Sequence, residues 1–333
     1  MTAPALELRR LTVDLPTREG LRRVVRDVSL RIDAGEAVGL VGESGSGKSM
    51  TARSAMRLLP AGAVVGGTIA AFGDAVQDMS AQRLRELRRE DVAMVFQDPR
   101  AHVNPVRTVG DFLTEGLRYA GAGNAEALRR AEGLLAEVLI ADPGRVLRRY
   151  PHQLSGGMLQ RVMIASALAT SPRLLLADEP TTALDVTTQA EIAAILDRLR
   201  RERGLAMLFI THDLDLAAAI CDRTAVMYAG ELVEVQRSRS LHHEPRHPYT
   251  SGLIASRPSV SATAERLPML SGRSIGAWEV EGGCGFSDRC RHAQDACRVE
   301  PQSLRAVNQG EVACRRAEEI QHDLHSRIEA TVD

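Results

Sequence analysis

Short apolar runs punctuate the first two-thirds of the chain, at 36–41 (EAVGLV), 92–96 (VAMVF), 173–177 (RLLLA) and 205–211 (LAMLFIT). Each is bounded by charged or turn-forming residues and separated from the next by stretches with helical spacing. Runs that are apolar on both faces and alternate with helices predict a mostly parallel sheet in an α/β layer architecture. The first run leads into GESGSGKS and then TARSAMRLL, so a strand, a glycine-rich turn and a helix are expected there. Ile192, Ile195, Leu196 and Leu199 fall on one face of a helix over 187–203. TAVMYAGELVEV (224–235) reads as a hairpin turning at Ala229-Gly230. After about 240 the texture changes. HHEPRHPYT and ASRPSVSAT, rich in Pro, His and Ser, read as a boundary, and a smaller cysteine-bearing segment follows. No internal repeat and no long low-complexity tract is present.

Composition narrows the function. A length of 333 residues suggests two domains. With 42 basic against 43 acidic side chains, the formal charge of −1 argues against a general polyanion binder. Aromatics at 3% weaken a stacking platform for single-stranded nucleic acid. The charged run LRELRRED (84–91) is expected to be an exposed helix face. No stretch approaches the roughly 18 to 20 apolar residues that cross a bilayer. The start, MTAPALELRRLTVDL, lacks a secretory apolar core and reads as mature cytosolic protein. Of the 42 basic residues, 41 are arginine and the one lysine, Lys48, lies inside the glycine-rich turn.

That turn carries the first chemistry. Gly42, Gly47, Lys48 and Ser49 satisfy G-x-x-x-x-G-K-[ST] in the strand–loop–helix context that gives the match weight. The backbone of Gly42, Glu43, Ser44, Gly45, Ser46, Gly47, Lys48, Ser49 and Met50 is expected to wrap a polyphosphate at a helix N-terminus. Lys48 is the mobile charge for the terminal phosphates, and Ser49 is placed for magnesium. A compact ammonium fits between phosphates where a guanidinium fork would crowd the loop, which accounts for a lone lysine in an arginine-rich chain. LLLADE (174–179) ends a strand in two carboxylates. Alone, such a pair is more often a strand ending in solvated acids. Joined to a phosphate loop about 130 residues earlier, Asp178 reads as the magnesium ligand and Glu179 as the general base. QLSGGMLQR (153–161) opens a second helix with Ser155, Gly156 and Gly157, a hydroxyl and bare N–H groups suited to another phosphate. One chain needs a single phosphate loop per nucleotide, so this helix is useful if two subunits meet head to tail.

At this point the chain resembles the ATP-binding subunits of ABC transporters over nearly its whole length. GESGSGKS, Gln97 in VFQDP, LSGGM, LLLADEP, the ALD segment ending at Asp185, and His212 in ITHD occur in the family's order and spacings. The resemblance implies a P-loop, RecA-like core of ABC type with an antiparallel β subdomain and a helical subdomain at about 98–165. The ATPase domain would occupy 1–240 and a cysteine-bearing extension 241–333. It further implies that Ser155, Gly156, Gly157 and Asp185 act on the ATP of a partner subunit. Gln97 would touch the magnesium or lytic water, and His212 would hold the γ-phosphate. Glu179, His212 and Gln97 are then the expected catalytic set, with ATP and magnesium as ligands. Two departures stand out. The signature ends in Met158 where most relatives carry glutamine. LTVDLPTREGLRRVV has no aromatic where the family stacks one on adenine, leaving Leu15 or Leu21 as the apolar candidates.

QDPRAHVNP (97–105), HPYTSGLIASRP (247–258) and the C-terminal CGFSDRCRHAQDACRVEPQSL resemble the branch that imports oligopeptides, dipeptides and nickel. The implied partners are a second, non-identical ATPase subunit, two transmembrane permease subunits and an extracytoplasmic solute-binding protein, with no nucleic acid. The implied place is the cytoplasmic face of the membrane. Cys284, Cys290, Cys297 and Cys314 are separated by 5, 6 and 16 residues, gaps that can close around one metal centre but do not match the tight pairs of a zinc ribbon. A [4Fe–4S] cluster, as some relatives are understood to carry, zinc, or free thiols all remain open here. Cys221 reads as a small buried hydrophobe. His242, His243 and His247 read as a solvated linker. The rival class is a soluble ABC-type ATPase of translation or DNA repair. Such proteins usually carry two cassettes, a long coiled-coil insertion or a basic surface, and this chain has none of these. A generic P-loop switch would need the lysine of N-K-x-D, which is absent.

Overall fold

The computed structural model describes residues 3–182, 184–256 and 270–324. The chain begins with a long hairpin, β1 (Leu6–Thr17) and β2 (Gly20–Ile32), whose register shifts around Arg10, a residue with φ of 52°. This irregularity keeps Leu6, Leu8, Leu11 and Val13 all turned into the core. The central strand β3 (Ala37–Val41) runs into the glycine-rich turn and helix α1 (Lys48–Ala55). β4 (Val64–Ala71) and β5 (Asp74–Ala75) then complete a four-stranded antiparallel sheet in the order β2-β1-β4-β5.

Helix α2 (Ala81–Glu86) and a single π-helical turn at Leu87–Asp91 follow, and here the charged run is only partly solvated. Leu84 and Leu87 are buried, and the Arg88 guanidinium donates to the Met56 carbonyl at 2.6 Å. After β6 (Val92–Val95) come α3 (Val109–Tyr119), α4 (Asn124–Glu137), α5 (Pro143–Leu147) and α6 (Gly156–Leu168). α3 starts with a capping box between Thr108 and Asp111 and buries Val109, Leu113 and Leu117 on one face. β7 (Leu174–Asp178), α7 (Val186–Arg203), β8 (Ala206–Thr211) and α8 (Leu214–Ile220) complete the alternation, followed by the hairpin β9 (Arg223–Tyr228) and β10 (Glu231–Arg237).

The expected strands and the α7 helix are all present. β6, β7, β8, β3 and β9 are parallel neighbours, each buried on both sides. Alternate residues serve different cores. Leu174 and Leu176 of β7, with Leu208 and Ile210 of β8, pack toward the antiparallel sheet and α1. Leu175, Ala177, Met207 and Phe209 pack toward α6 and α7. The hairpin turns at Ala229 (φ 44°) and Gly230 (φ 83°), two consecutive left-handed residues that match the strand twist.

The region after 240 departs from expectation. It folds as α9 (Ser238–His243) and α10 (Pro248–Ala255) against the sheet. His247 is 1% exposed and caps α10, its Nδ1 accepting the Tyr249 N–H at 3.1 Å with Pro248 at the first helical position. Burial holds its imidazole neutral, down to about 3. His242 lies 3.0 Å from the Leu214 carbonyl, and His243 alone is exposed. What looked like a linker is a helix start, because His-Pro is a capping pair as well as a loop signal. Residues 257–263 of the predicted boundary lie outside the described residues. Beyond them come α11 (Asp295–Val299) and the short strands β11 (Arg305–Val307) and β12 (Gly310–Val312). These strands extend the main sheet through β10, giving the order β11-β12-β10-β9-β3-β8-β7-β6.

Candidate functional site

The turn between β3 and α1 is shaped by backbone that approaches closely from two sides. A Cβ on Gly42 would lie 2.1 Å from the Met227 carbonyl oxygen, and one on Gly47 (φ 105°) would lie 2.7 Å from the Val24 carbonyl oxygen. Only glycine fits either place. Lys48 opens α1, is 4% exposed, and donates from Nζ to the carbonyls of Gly42 (2.8 Å) and Glu43 (3.0 Å). Burial lowers its ammonium pKa, and the nearby Glu179 and Asp178 carboxylates oppose that. The Ser46 hydroxyl is buried with no protein partner.

β7 delivers the two carboxylates to this loop. Ser49 Oγ donates to Asp178 Oδ1 at 2.7 Å. Asp178 is fully buried, its Oδ2 accepts no hydrogen bond, and burial raises its pKa. An anionic oxygen that no hydrogen bond engages, with the Arg53 guanidinium 3.7 Å away and a serine hydroxyl on its neighbour, fits the oxygen-donor set of magnesium. Glu179 has a left-handed backbone (φ 46°) that turns its side chain back over the loop. Its Oε2 accepts from Thr182 Oγ1 at 2.8 Å and Gln97 Nε2 at 3.2 Å, with His212 Nδ1 3.9 Å away, and its Oε1 lies 3.7 Å from Lys48 Nζ. His212, Thr182 and Lys48 outweigh burial and hold the carboxyl well down, to about 2. In return Glu179 raises the His212 imidazole above its usual value.

These groups share one open cavity of about 530 Å³. Ser44, Gly45, Gly47, Lys48, Ser49, Met50, Gln97, Glu179 and His212 line it, together with Val24 and Trp278. Gln97 and His212, far apart in sequence, are brought to the same carboxylate. Sequence reasoning missed Thr182, whose only signal is its position three residues after Glu179. It also missed Trp278, which reaches the pocket from the extension. The pocket's apolar lining is Val24, Met50 and Trp278 rather than Leu15 or Leu21.

The Ser155 helix lies elsewhere. Ser155 caps α6, accepting the Met158 N–H at 3.3 Å, and Gly156 and Gly157 form its first turn. A Cβ on Gly157 would lie 2.7 Å from Thr188 Cγ2, while Asp185 caps α7 by accepting the Thr188 N–H (2.9 Å) and hydroxyl (2.8 Å). Ser155, Gly157 and Thr188 line a separate cavity of about 440 Å³ that includes no residue of the phosphate loop.

The extension packs onto the phosphate loop. The Glu43 N–H donates to Tyr249 Oη at 2.9 Å, and the Glu43 carboxylate receives both arms of Arg289, at 2.7 and 3.1 Å. Arg289 also lies over the rings of Tyr228 and Phe286. Next to it, Cys284, Cys290, Cys297 and Cys314 line one cavity of about 20 Å³, the room of a single water molecule. Burial pushes the Cys284 thiol up to about 12 and Cys314 to about 11, and raises Cys290. The four cysteines are thus gathered, but among the described residues no group of three or more His, Cys, Asp or Glu side chains is arranged to hold a metal ion. Cys221 is buried as expected, and burial raises its thiol pKa.

Among the described residues no helix is long and apolar enough to cross a membrane. Residues 25–182 match the ABC transporter family model, and residues 233–297 match the oligopeptide/dipeptide transporter C-terminal region. A Brucella abortus protein described as a peptide import ATP-binding protein is 44% identical over 93% of both chains. The oligopeptide transport ATP-binding protein OppD of Salmonella typhimurium is 40% identical over 93% of this chain and 92% of its own. Among solved structures, the dimeric bacterial ABC transporter cassette MJ0796 superposes with a TM-score of 0.63 at 30% identity, over 70% of this chain and 99% of that one.

Proposed function

The chain belongs to the ABC transporter family, and we propose that it is the ATP-hydrolysing subunit of a membrane importer for peptides or a similarly small solute. The observation that carries this reading is a division within the chain. The phosphate loop and Glu179 line one cavity, with Asp178 buried behind Ser49, while the Ser155 helix lines another beside Thr188, the residue Asp185 caps. A second subunit is what brings a signature helix to each phosphate loop.

In this reading Lys48 and the loop N–H groups hold the β- and γ-phosphates, and Ser49 with Asp178 holds magnesium. Magnesium, when bound, neutralises charge that builds on the phosphates. Glu179, already ionised at neutral pH, accepts a hydrogen bond from the attacking water and turns it toward the γ-phosphate. Gln97, which touches Glu179, relays nucleotide state to the permease, and His212 holds the γ-phosphate and the water in line. Ser155, Gly156, Gly157 and Asp185 serve the partner's ATP. The ATPase domain spans 1–240, with its helical subdomain at 98–165, and the extension occupies 241–333.

The assembly comprises a non-identical second ATPase subunit, two permease subunits and an extracytoplasmic binding protein, with this chain peripheral on the cytoplasmic face. Purification from solubilised membranes tests it. Recovery with two integral-membrane proteins and a second ATPase is expected. Recovery with ribosomes or DNA and no integral-membrane partner overturns the reading, and a homodimer overturns the partner assignment. For the cysteine cavity the reading is a [4Fe–4S] cluster held by Cys284, Cys290, Cys297 and Cys314. What supports it is that all four cysteines line one cavity. Anaerobically purified protein should be brown, with about four irons per chain. Zinc, or no metal, refutes it.

A further inference from the structure

No aromatic residue precedes Phe72, so neither strand of the first hairpin offers a π face to a nucleobase. The chain's single tryptophan comes to the pocket from the opposite end of the sequence. Trp278 is 48% exposed and lines the cavity that contains Lys48, Ser49 and Glu179. We propose that Trp278 is the base-stacking platform of the nucleotide site, and that the C-terminal extension thereby supplies the affinity for the nucleobase of ATP. The inference rests on the nucleotide-site reading above.

The turn that carries the indole is built to hold it. Gly276 donates its N–H to Glu279 Oε1 at 2.8 Å, and Arg273 pairs with the same carboxylate. Arg26 of β2 donates to the carbonyls of Ala277 (3.2 Å) and Val280 (2.8 Å) and is itself fixed by Glu231 at 3.0 Å. A Cβ on Gly230 would lie 2.6 Å from Ala277 Cβ and 3.1 Å from the Val24 carbonyl oxygen, so the turn sits tightly against the hairpin and β2. That same Val24 carbonyl borders Gly47 of the phosphate loop. The indole folds over Gly276, where any Cβ would lie 2.4 Å from the ring. The close approach of Gly276 and the Arg22 guanidinium, 5.7 Å from the ring centroid, set its direction and leave it half-exposed.

The chemistry suits a purine. An indole that remains half-exposed at the edge of a phosphate pocket keeps apolar π surface in water until a base covers it. Stacking on an aromatic is worth enough that truncation weakens binding roughly 5- to 100-fold. Among the described residues lining the pocket the other ring is His212, which lies beside Glu179.

A single tryptophan makes the test direct. In the full chain, MgATP should change the intrinsic tryptophan fluorescence, and magnesium tripolyphosphate, which has no base, should not. Trp278→Ala should weaken MgATP binding, measured by calorimetry, roughly 5- to 100-fold while leaving tripolyphosphate affinity unchanged. Trp278→Phe should restore most of the loss, and Gly276→Ala, which displaces the ring, should imitate Trp278→Ala. MgATP affinity within twofold of wild type in Trp278→Ala overturns the proposal, and so does a parallel loss of tripolyphosphate binding, which marks a structural role. If the wild-type chain binds neither ligand, the nucleotide-site reading fails and takes this inference with it.

Discussion

Two cavities lie near the Arg289–Glu43 contact, and they treat ionisable groups in opposite ways. In the nucleotide cavity Glu179 is surrounded by donors and cations, so its carboxyl is held down to about 2 although it is only 14% exposed. In the cysteine cavity four thiols share one small space with Arg315 and Arg316 at its wall, and burial still outweighs those cations and pushes Cys284 up to about 12. Burial acts on both. What differs is the set of partners. The first site holds its charge before any ligand arrives, whereas at the second burial favours the protonated thiols of Cys284, Cys290 and Cys314.

The largest test of this contrast is Glu179→Gln. Removing the charge should cut phosphate release by the assembled transporter about 10²- to 10⁴-fold while ATP binding persists. An unchanged rate would remove Glu179 from the chemistry and reduce its partners to a structural network. A second test uses Glu234, which is fully buried and accepts the N–H groups of Arg246 and His247 at 2.9 Å. Here burial outweighs the donors and raises the carboxyl from 4.5 to about 7. The folded state therefore keeps a proton that the unfolded chain releases above 4.5, so this group's contribution to stability falls as pH rises to about 7 and is flat beyond. The total is on the order of 3 kcal/mol. Urea unfolding of wild type and Glu234→Gln across that window should show wild type losing ground to the variant. A constant difference would mean that the donors win here too.

The smallest effect is expected where the two regions meet. Arg289→Ala removes two charge-assisted hydrogen bonds from Glu43 and should cost about 2 kcal/mol, seen as a lowered melting temperature. Arg289→Lys should recover only part of it, because an ammonium cannot span both oxygens. Full recovery would show that charge alone, without the fork, joins the extension to the loop.

Legibility in the sequence followed separation along the chain. β3, β6, β7 and β8 were readable because a strand buried on both faces is apolar throughout, and the phosphate loop because its glycines, lysine and serine all fall within the short stretch from Gly42 to Ser49. Asp178 and Glu179 gained meaning from a motif that spans the loop and β7. His247 was misread, since a His-Pro pair signals a turn and a helix cap equally, and only burial separates the two. Trp278 as a pocket residue and Arg289 as the clamp on Glu43 had no local signal. Each acts on partners more than 200 positions away, and neither contact leaves a periodicity in the sequence.

The reach of Arg289 back to Glu43, 246 positions earlier, also sets an order of events during synthesis. At 5 to 20 residues per second, about 12 to 50 seconds separate translation of the glycine turn from that of the arginine that clamps it. By the later part of that interval the emerging chain contains Lys48, Asp178 and Glu179 but lacks the indole at the pocket and the guanidinium that clamps Glu43. Nucleotide capture at full strength is thus postponed until nearly the whole polypeptide has left the ribosome, and an interrupted chain is left with a weak grip on ATP.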